Sequence, residues 1–155
     1  MLSLQELSDR AEIQDLMAAY SAAVDGQEWD RFDDIFVEDA ELDFTDVADF
    51  QAHDRETFKQ WLAGGLPQGR HYFHLCATTH ATIDGDKAEA ITLCLNPMPA
   101  DDRVLLFGHW YRDALVRTPA GWRIARRRLE LCFHAPLAPF PGVSPWVSPW
   151  GATST

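Results

Sequence analysis

Apolar residues recur at two different periods along this chain, and the change of period divides it. Ile13, Leu16, Met17, Tyr20 and Val24 fall three or four positions apart, the spacing of one stripe on a helix. That stripe predicts a first helix with Tyr20 facing inward, stopped near Gly26. Trp29, Phe32, Ile35 and Phe36 repeat the pattern and predict a short second helix over Glu28–Phe36. Asp39-Ala40 then turns the chain into a short strand, Glu41–Thr45. A third helix follows from Asp54, its N-cap, to Leu62, with Gly64-Gly65 ending it. After Gly69 the period drops to two. A long strand over Arg70–Ile83 ends at Asp84-Gly85, a strong hairpin signal, and Lys87–Leu95 pairs back along it until Pro97 and Pro99 break it. Arg103–Thr118 and Trp122–Phe133, joined through Pro119-Ala120-Gly121, complete the set. Three helices followed by long antiparallel strands give an α+β domain, with the helices on one face of a curved sheet.

The pattern lapses after residue 134. Residues 135–155 hold five of the nine prolines and the repeat Ser144-Pro145-Trp146, Ser148-Pro149-Trp150. The reading is one domain over 1–134 and an extended Pro/Trp-rich tail over 135–155, whose Trp146 and Trp150 pack on the domain or on a partner subunit. A chain of 155 residues, 46% hydrophobic and 24% charged, is the size of one domain that buries a real core. Its formal charge of −11 argues against nucleic acid as a partner, since a phosphate-binding surface must be basic. No apolar run approaches the ~20 residues of a membrane span, and the N-terminus lacks the features of a secretory signal, so a cytoplasmic protein is expected. Cys76, Cys94 and Cys132, without a CxxC, read as buried reduced thiols.

The residues with chemistry to offer are Tyr20, Asp25 and His74. A phenol, a carboxylate and an imidazole can move protons around a carbonyl without a cofactor. Each also has a structural reading: core aromatic, helix-end turn residue, and solvent-facing strand residue. By alternation His74 shares a face with Tyr72, Cys76, Thr78 and His80, opposite Phe73, Leu75, Ala77, Ala81 and Ile83; His80 lies toward the hairpin end, outside a pocket. His109 alternates with Phe107, Tyr111 and Asp113, either structural or a second imidazole on the pocket wall. Arg127 would anchor an acidic substrate or an internal carboxylate. A metal site is argued against, because His71 and His74 are three apart on a strand and point to opposite sides, and no HxH or HxxxH pair occurs. No GxSxG, GxGxxG or P-loop is present.

Glu12-Ile13 through Tyr20, Asp25-Gly26-Gln27-Glu28-Trp29-Asp30, Ile35-Phe36-Val37-Glu38-Asp39-Ala40-Glu41, His74, the Asp84-Gly85-Asp86 turn and Gly121-Trp122-Arg123-Ile124-Ala125 together resemble the SnoaL-like branch of the NTF2-like superfamily, over residues 5–130 or so. The resemblance implies a cone, with helices against a strongly bent sheet and a deep pocket at the wide end. In its scytalone-dehydratase-like and bile-acid-dehydratase-like members an inward tyrosine, a carboxylate and a histidine eliminate water. Tyr20, Asp25 and His74 match those positions, and a histidine at 109 resembles the scytalone-dehydratase arrangement. An asparagine often found four positions after the histidine is Thr78 here.

The expected activity is therefore a cofactor-independent dehydratase acting on a hydrophobic cyclic β-hydroxy carbonyl compound. Tyr20, Asp25, His74 and His109 would be catalytic, and Trp29, Phe32, Phe44, Phe107, Trp110 and Arg127 would hold the substrate, with no metal or other cofactor. A ketosteroid-isomerase-like isomerase would need a base where Phe44 stands, with Asp43 one step away on the opposite face. Polyketide cyclisation would use the same pocket. A non-catalytic ligand-binding or assembly subunit would keep the three polar residues as an internal network. Exposed Leu75, Ala77 and Ala81 predict a homodimer or higher homo-oligomer through the outer face of the sheet.

Overall fold

The structure, a computed structural model, describes residues 1–66, 72–100 and 103–137. Helix α1 (Leu4–Asp25) starts at a capping box in which Ser3 and Glu6 satisfy each other's exposed backbone N–H groups. Its stripe of Ile13, Leu16, Met17, Tyr20 and Val24 is buried. The chain then makes a 3-10 turn (Trp29–Asp34), strand β1 (Phe36–Asp43), a single-turn helix α2 (Thr45–Ala48), strand β2 (Gln51–Ala52) and helix α3 (Arg55–Gly65), capped by Asp54. Four strands follow: β3 (Leu75–Asp84), β4 (Lys87–Ala100), β5 (Arg103–Thr118) and β6 (Gly121–Leu137). They form a six-stranded sheet in the order β2-β1-β6-β5-β4-β3, curved and unclosed. α1 packs against its inner face, and the core lies between them.

Several expectations need correction. The second helix is a 3-10 turn that stops at Asp34, and β1 begins at Phe36 rather than Glu41. β1 pairs parallel to β6, so the sheet is mixed. Gly26 ends α1 as expected but keeps a negative φ; Gln27 takes the left-handed conformation, at φ 54°. Pro97 and Pro99 do not break β4, which runs on to Ala100. Among the described residues β3 pairs with β4 only as far as Leu95, so both prolines lie beyond that pairing, in the part of the strand where proline is tolerated. β6 likewise continues through Pro136 to Leu137, past the expected boundary at 134, because β1 pairs only with its first half. The start of the first long strand at Arg70 and the Trp146 and Trp150 repeats lie outside the described residues.

Two of the sheet's register shifts reset the faces. The register of β3 against β4 slips between Cys76 and Thr79, so Thr78 and His80 turn out and Thr79, Ala81 and Ile83 turn in. Ala81 is consequently buried, not part of an exposed apolar face, whereas Leu75 and Ala77 are exposed. The second slip pairs His109 with Leu131 and Gly108 with Phe133. The extra residue is Cys132, which is exposed rather than buried. On that outer face Gly108 is needed bare, since a β-carbon there would come within 2.3 Å of the Phe133 ring. Leu93 and Phe133 are also exposed on it.

Away from the cavity end, Asp9 is buried on α1 and ties it to the sheet. It receives both terminal nitrogens of Arg117 at 2.6 and 2.8 Å, and the Trp122 indole N–H at 3.2 Å. Arg117's hydrogen bonds, against the opposing effect of burial and with help from Gln5 and Trp122, hold the Asp9 carboxyl far below the usual carboxylate range. Its folded pKa lies below the unfolded 3.8, so this pair stabilises the fold fully above that pH and the contribution drains away as pH falls further. An Asp9→Asn variant should therefore melt lower than wild type at neutral pH and show a flatter decline below pH ~4. Thermal denaturation across pH 2–7 reads both; parallel melting curves at every pH would contradict this linkage.

Candidate active site

Asp25 is the last residue of α1, and His74 immediately precedes β3 rather than lying within the strand. His74 donates its backbone N–H to Asp25 Oδ2 at 2.9 Å, and its ring Nδ1 lies 2.6 Å from Asp25 Oδ1. One carboxylate thus grips both backbone and ring. Because a carboxylate only accepts, Nδ1 carries a proton, leaving Nε2 of the neutral ring as an acceptor. Asn96 Nδ2 donates to it at 2.9 Å.

Tyr20 approaches the same imidazole from α1, with ring centroids 6.4 Å apart. It is 1% exposed. Burial pushes its hydroxyl up to about 12, opposed by the Arg127 charge and the Tyr111 hydroxyl, so at neutral pH it stays protonated and can donate. Beneath it Arg127, fully buried, gives Nε and Nη2 to the two oxygens of Asp113 at 2.8 and 2.7 Å. Its guanidinium lies 4.1 Å from the centroids of both the Tyr20 and Tyr111 rings. Burial works against the charge on Arg127, but Asp113 prevails and keeps it raised. The open question about Arg127 thus has a geometric answer: it holds an internal carboxylate and supports two tyrosines.

These groups border a cavity of about 370 Å³ lined by Tyr20, His74, Asn96, His109 and Tyr111 on its polar side and by Phe44, Trp61, Met98, Phe107 and Leu129 among its apolar walls. His109 is 2% exposed. Burial, then the nearby charges of His74 and Arg127, bring it down to about 4, so it is a neutral imidazole at physiological pH. Of the expected substrate contacts, Phe44 and Phe107 line the cavity and Trp29, Phe32 and Trp110 do not. Phe32 is sealed in the core between Tyr20 and Phe58, and Trp29 packs edge-on behind it. Trp110 alternates with His109 and Tyr111 and so faces the other side of β5. Asp43, the alternative isomerase base, accepts from Thr45 and Arg128 at the end of β1, leaving Phe44 at the cavity.

Asn96, Tyr111 and Trp61 were not anticipated as site residues. Asn96 continues the inward series Ala88, Ala90, Thr92, Cys94, but ending β4 at Leu95 hid it. Cys76 and Cys94 face each other across β3 and β4; a hydrogen bond from Cys94, against burial, lowers Cys76. Among the described residues no cluster of His, Cys, Asp and Glu is placed to hold a metal ion, and no helix is long and apolar enough to cross a membrane. His71 lies outside them.

Residues 5–128 match the family described as the SnoaL-like domain. An uncharacterized protein of Mycobacterium tuberculosis strain H37Rv, Rv2910c, is 42% identical over 137 residues, spanning 86% of this chain and 92% of its own. Among solved structures, a candidate scytalone dehydratase from Novosphingobium aromaticivorans superposes with a TM-score of 0.74 at 21% identity, covering 83% of this chain and 87% of that one. The type 3 hexachlorocyclohexane dehydrochlorinase LinA from Novosphingobium barchaimii gives 0.74 at 23% identity, covering 92% and 99%. At such identities these two establish the fold alone.

Proposed function

The chain belongs to the SnoaL-like domain family, and from that premise we propose that its cavity is the active site of a cofactor-independent lyase that eliminates water from an apolar cyclic β-hydroxy carbonyl compound. The observation that carries this reading is the Asp25–His74 pair, gripped at ring and backbone, bordering an apolar cavity beside a protonated, buried Tyr20. Similarity to a candidate scytalone dehydratase and to a dehydrochlorinase agrees with elimination chemistry.

In the proposed cycle His74 Nε2, once Asn96 lets go of it, takes the proton from the carbon next to the carbonyl. Tyr20 donates a hydrogen bond to the carbonyl oxygen as enolate charge builds there. Asp25 holds the tautomer and offsets the positive charge that the ring gains. The enolate then collapses, the β-carbon–oxygen bond breaks, and the imidazolium gives its proton to the departing hydroxyl. Products are the conjugated enone and water, with His74 neutral again. The isomerase reading fares worse, because the position of its base is the phenyl ring of Phe44 and Asp43 is tied to Arg128.

The test is enone absorbance with two substrates, a bicyclic β-hydroxy ketone and a β,γ-enone. Wild type should convert the first, and Tyr20→Phe should slow it by roughly 10²–10³-fold, the usual effect of losing one oxyanion donor. Faster conversion of the β,γ-enone than of the hydroxy ketone would favour isomerisation instead.

A further inference from the structure

Two side chains of the cavity wall carry hydrogen-bonding capacity that the protein leaves unused. Asn96 is 8% exposed and spends an amide hydrogen on His74, yet its Oδ1 is buried with no partner among the described residues. His109 is buried deeper still, and neither ring nitrogen has a partner there. They sit on adjacent strands: His109 lies opposite Cys94 and Asn96 opposite Phe107. Asn96 and His109 are therefore diagonal neighbours on the inward face, close enough for both to reach one group between them. Unsatisfied polar atoms are rare in protein interiors and each calls for a reason. Facing a cavity, the reason is a ligand.

The donor and acceptor inventory specifies that ligand. Asn96 Oδ1 only accepts, so the ligand must donate to it. Neutral His109 offers one donor and one acceptor. A hydroxyl group supplies a donor and acceptors together; a carboxylate supplies no donor. Charge points the same way. Arg127 does not line the cavity and is paired with Asp113 and sandwiched by Tyr20 and Tyr111, and Asp25 lies behind His74. Neither an anion nor a cation would find a free counter-charge on the described walls, while the aromatic and aliphatic remainder suits a compact ring system.

We propose that Asn96 and His109 form a hydroxyl-recognition pole, so that the cavity selects an uncharged ring compound bearing an alcoholic or phenolic hydroxyl, and that this hydroxyl draws the Asn96 amide away from His74 Nε2. Recognition and release of the base are then one event. The empty site keeps His74 masked, and a ligand without the hydroxyl binds without unmasking it. This deepens the lyase reading and rests on it only in taking the cavity as the ligand site.

Calorimetric titration of the full chain with 2-naphthol, naphthalene and 2-naphthoate tests it with probes that bind but do not react. 2-Naphthol should bind roughly tenfold or more tightly than naphthalene, the effect of one good buried hydrogen bond, with 2-naphthoate weakest. Asn96→Leu and His109→Phe, each checked for folding by thermal denaturation, should bring naphthol and naphthalene to within about threefold of one another. The ¹⁵N resonance of His74 Nε2 should move with naphthol and not with naphthalene. Equal affinity of naphthol and naphthalene, a preference for naphthoate, no binding of naphthol at millimolar concentration, or a hydroxyl preference that survives in both variants overturns the proposal. An unmoved Nε2 resonance overturns the unmasking. Because no probe reacts, a failed elimination assay leaves this result intact, and the reverse holds too.

Discussion

In a His74→Ala variant, water elimination from a bicyclic β-hydroxy ketone is expected to slow by roughly 10²–10⁴-fold, while the protein melts at or above the wild-type temperature. The kinetic half follows from His74 being both the base and the acid of the proposed cycle, with no second imidazole among the described lining residues able to replace it: His109 is neutral but held down to about 4 by burial, a weak base. The stability half follows from position. The His74 side chain is 7% exposed and leans on a cavity rather than on packed core, so its loss enlarges an existing space, into which water can enter to satisfy Asn96 Nδ2 and Asp25 Oδ1 in its place. Combining the change with Asp25→Asn and Tyr20→Phe should preserve both outcomes. The contrary result, several degrees of lost stability with binding and turnover untouched, would make the three residues an internal scaffold and the protein a binding or assembly subunit.

The largest effect on stability is expected at Arg127→Met. Removing the guanidinium leaves Asp113, 1% exposed, as a buried carboxylate without its counter-charge. Breaking a buried pair in this way costs about 3–5 kcal/mol, a drop in melting temperature on the order of 10 °C for a domain of this size. The Tyr20 and Tyr111 rings also lose the cation between them, so turnover should fall even at temperatures where the variant is folded. An Asp113→Leu/Arg127→Met double variant should recover most of the stability, since it replaces the pair with apolar groups and leaves no orphaned charge. Thermal and urea denaturation of the two variants distinguish this from a simple loss of packing, for which the double variant would be the less stable.

The candidate site was legible in the sequence to the extent that its residues obeyed local periodicity. Tyr20 could be placed on its helical stripe without coordinates, whereas His74, expected within the first long strand, lies just before it. Trp29, Phe32 and Trp110 were misjudged because an aromatic residue near a pocket in sequence can equally be core or outer face. Only the direction of its side chain decides, and for Trp110 that is a matter of a single step along β5. Thr78 and His80 were assigned to the wrong face since a bulge inverts alternation, and a bulge leaves no mark in composition.

What the sequence determined by itself was the α+β order of elements, the inward stripe of α1 and the set of proton-handling residue types, because periodicity and turn chemistry act between near neighbours. The tertiary structure alone decided that Asp25 grips His74 across 49 positions of chain, that Arg127 serves Asp113 and that Asn96 reaches His74. It also carried β4 through its prolines, beyond Leu95, where its pairing with β3 ends among the described residues. Those outcomes depend on which strands lie side by side and on what each side chain meets once buried. Hydrogen-bond satisfaction and desolvation are properties of the packed whole.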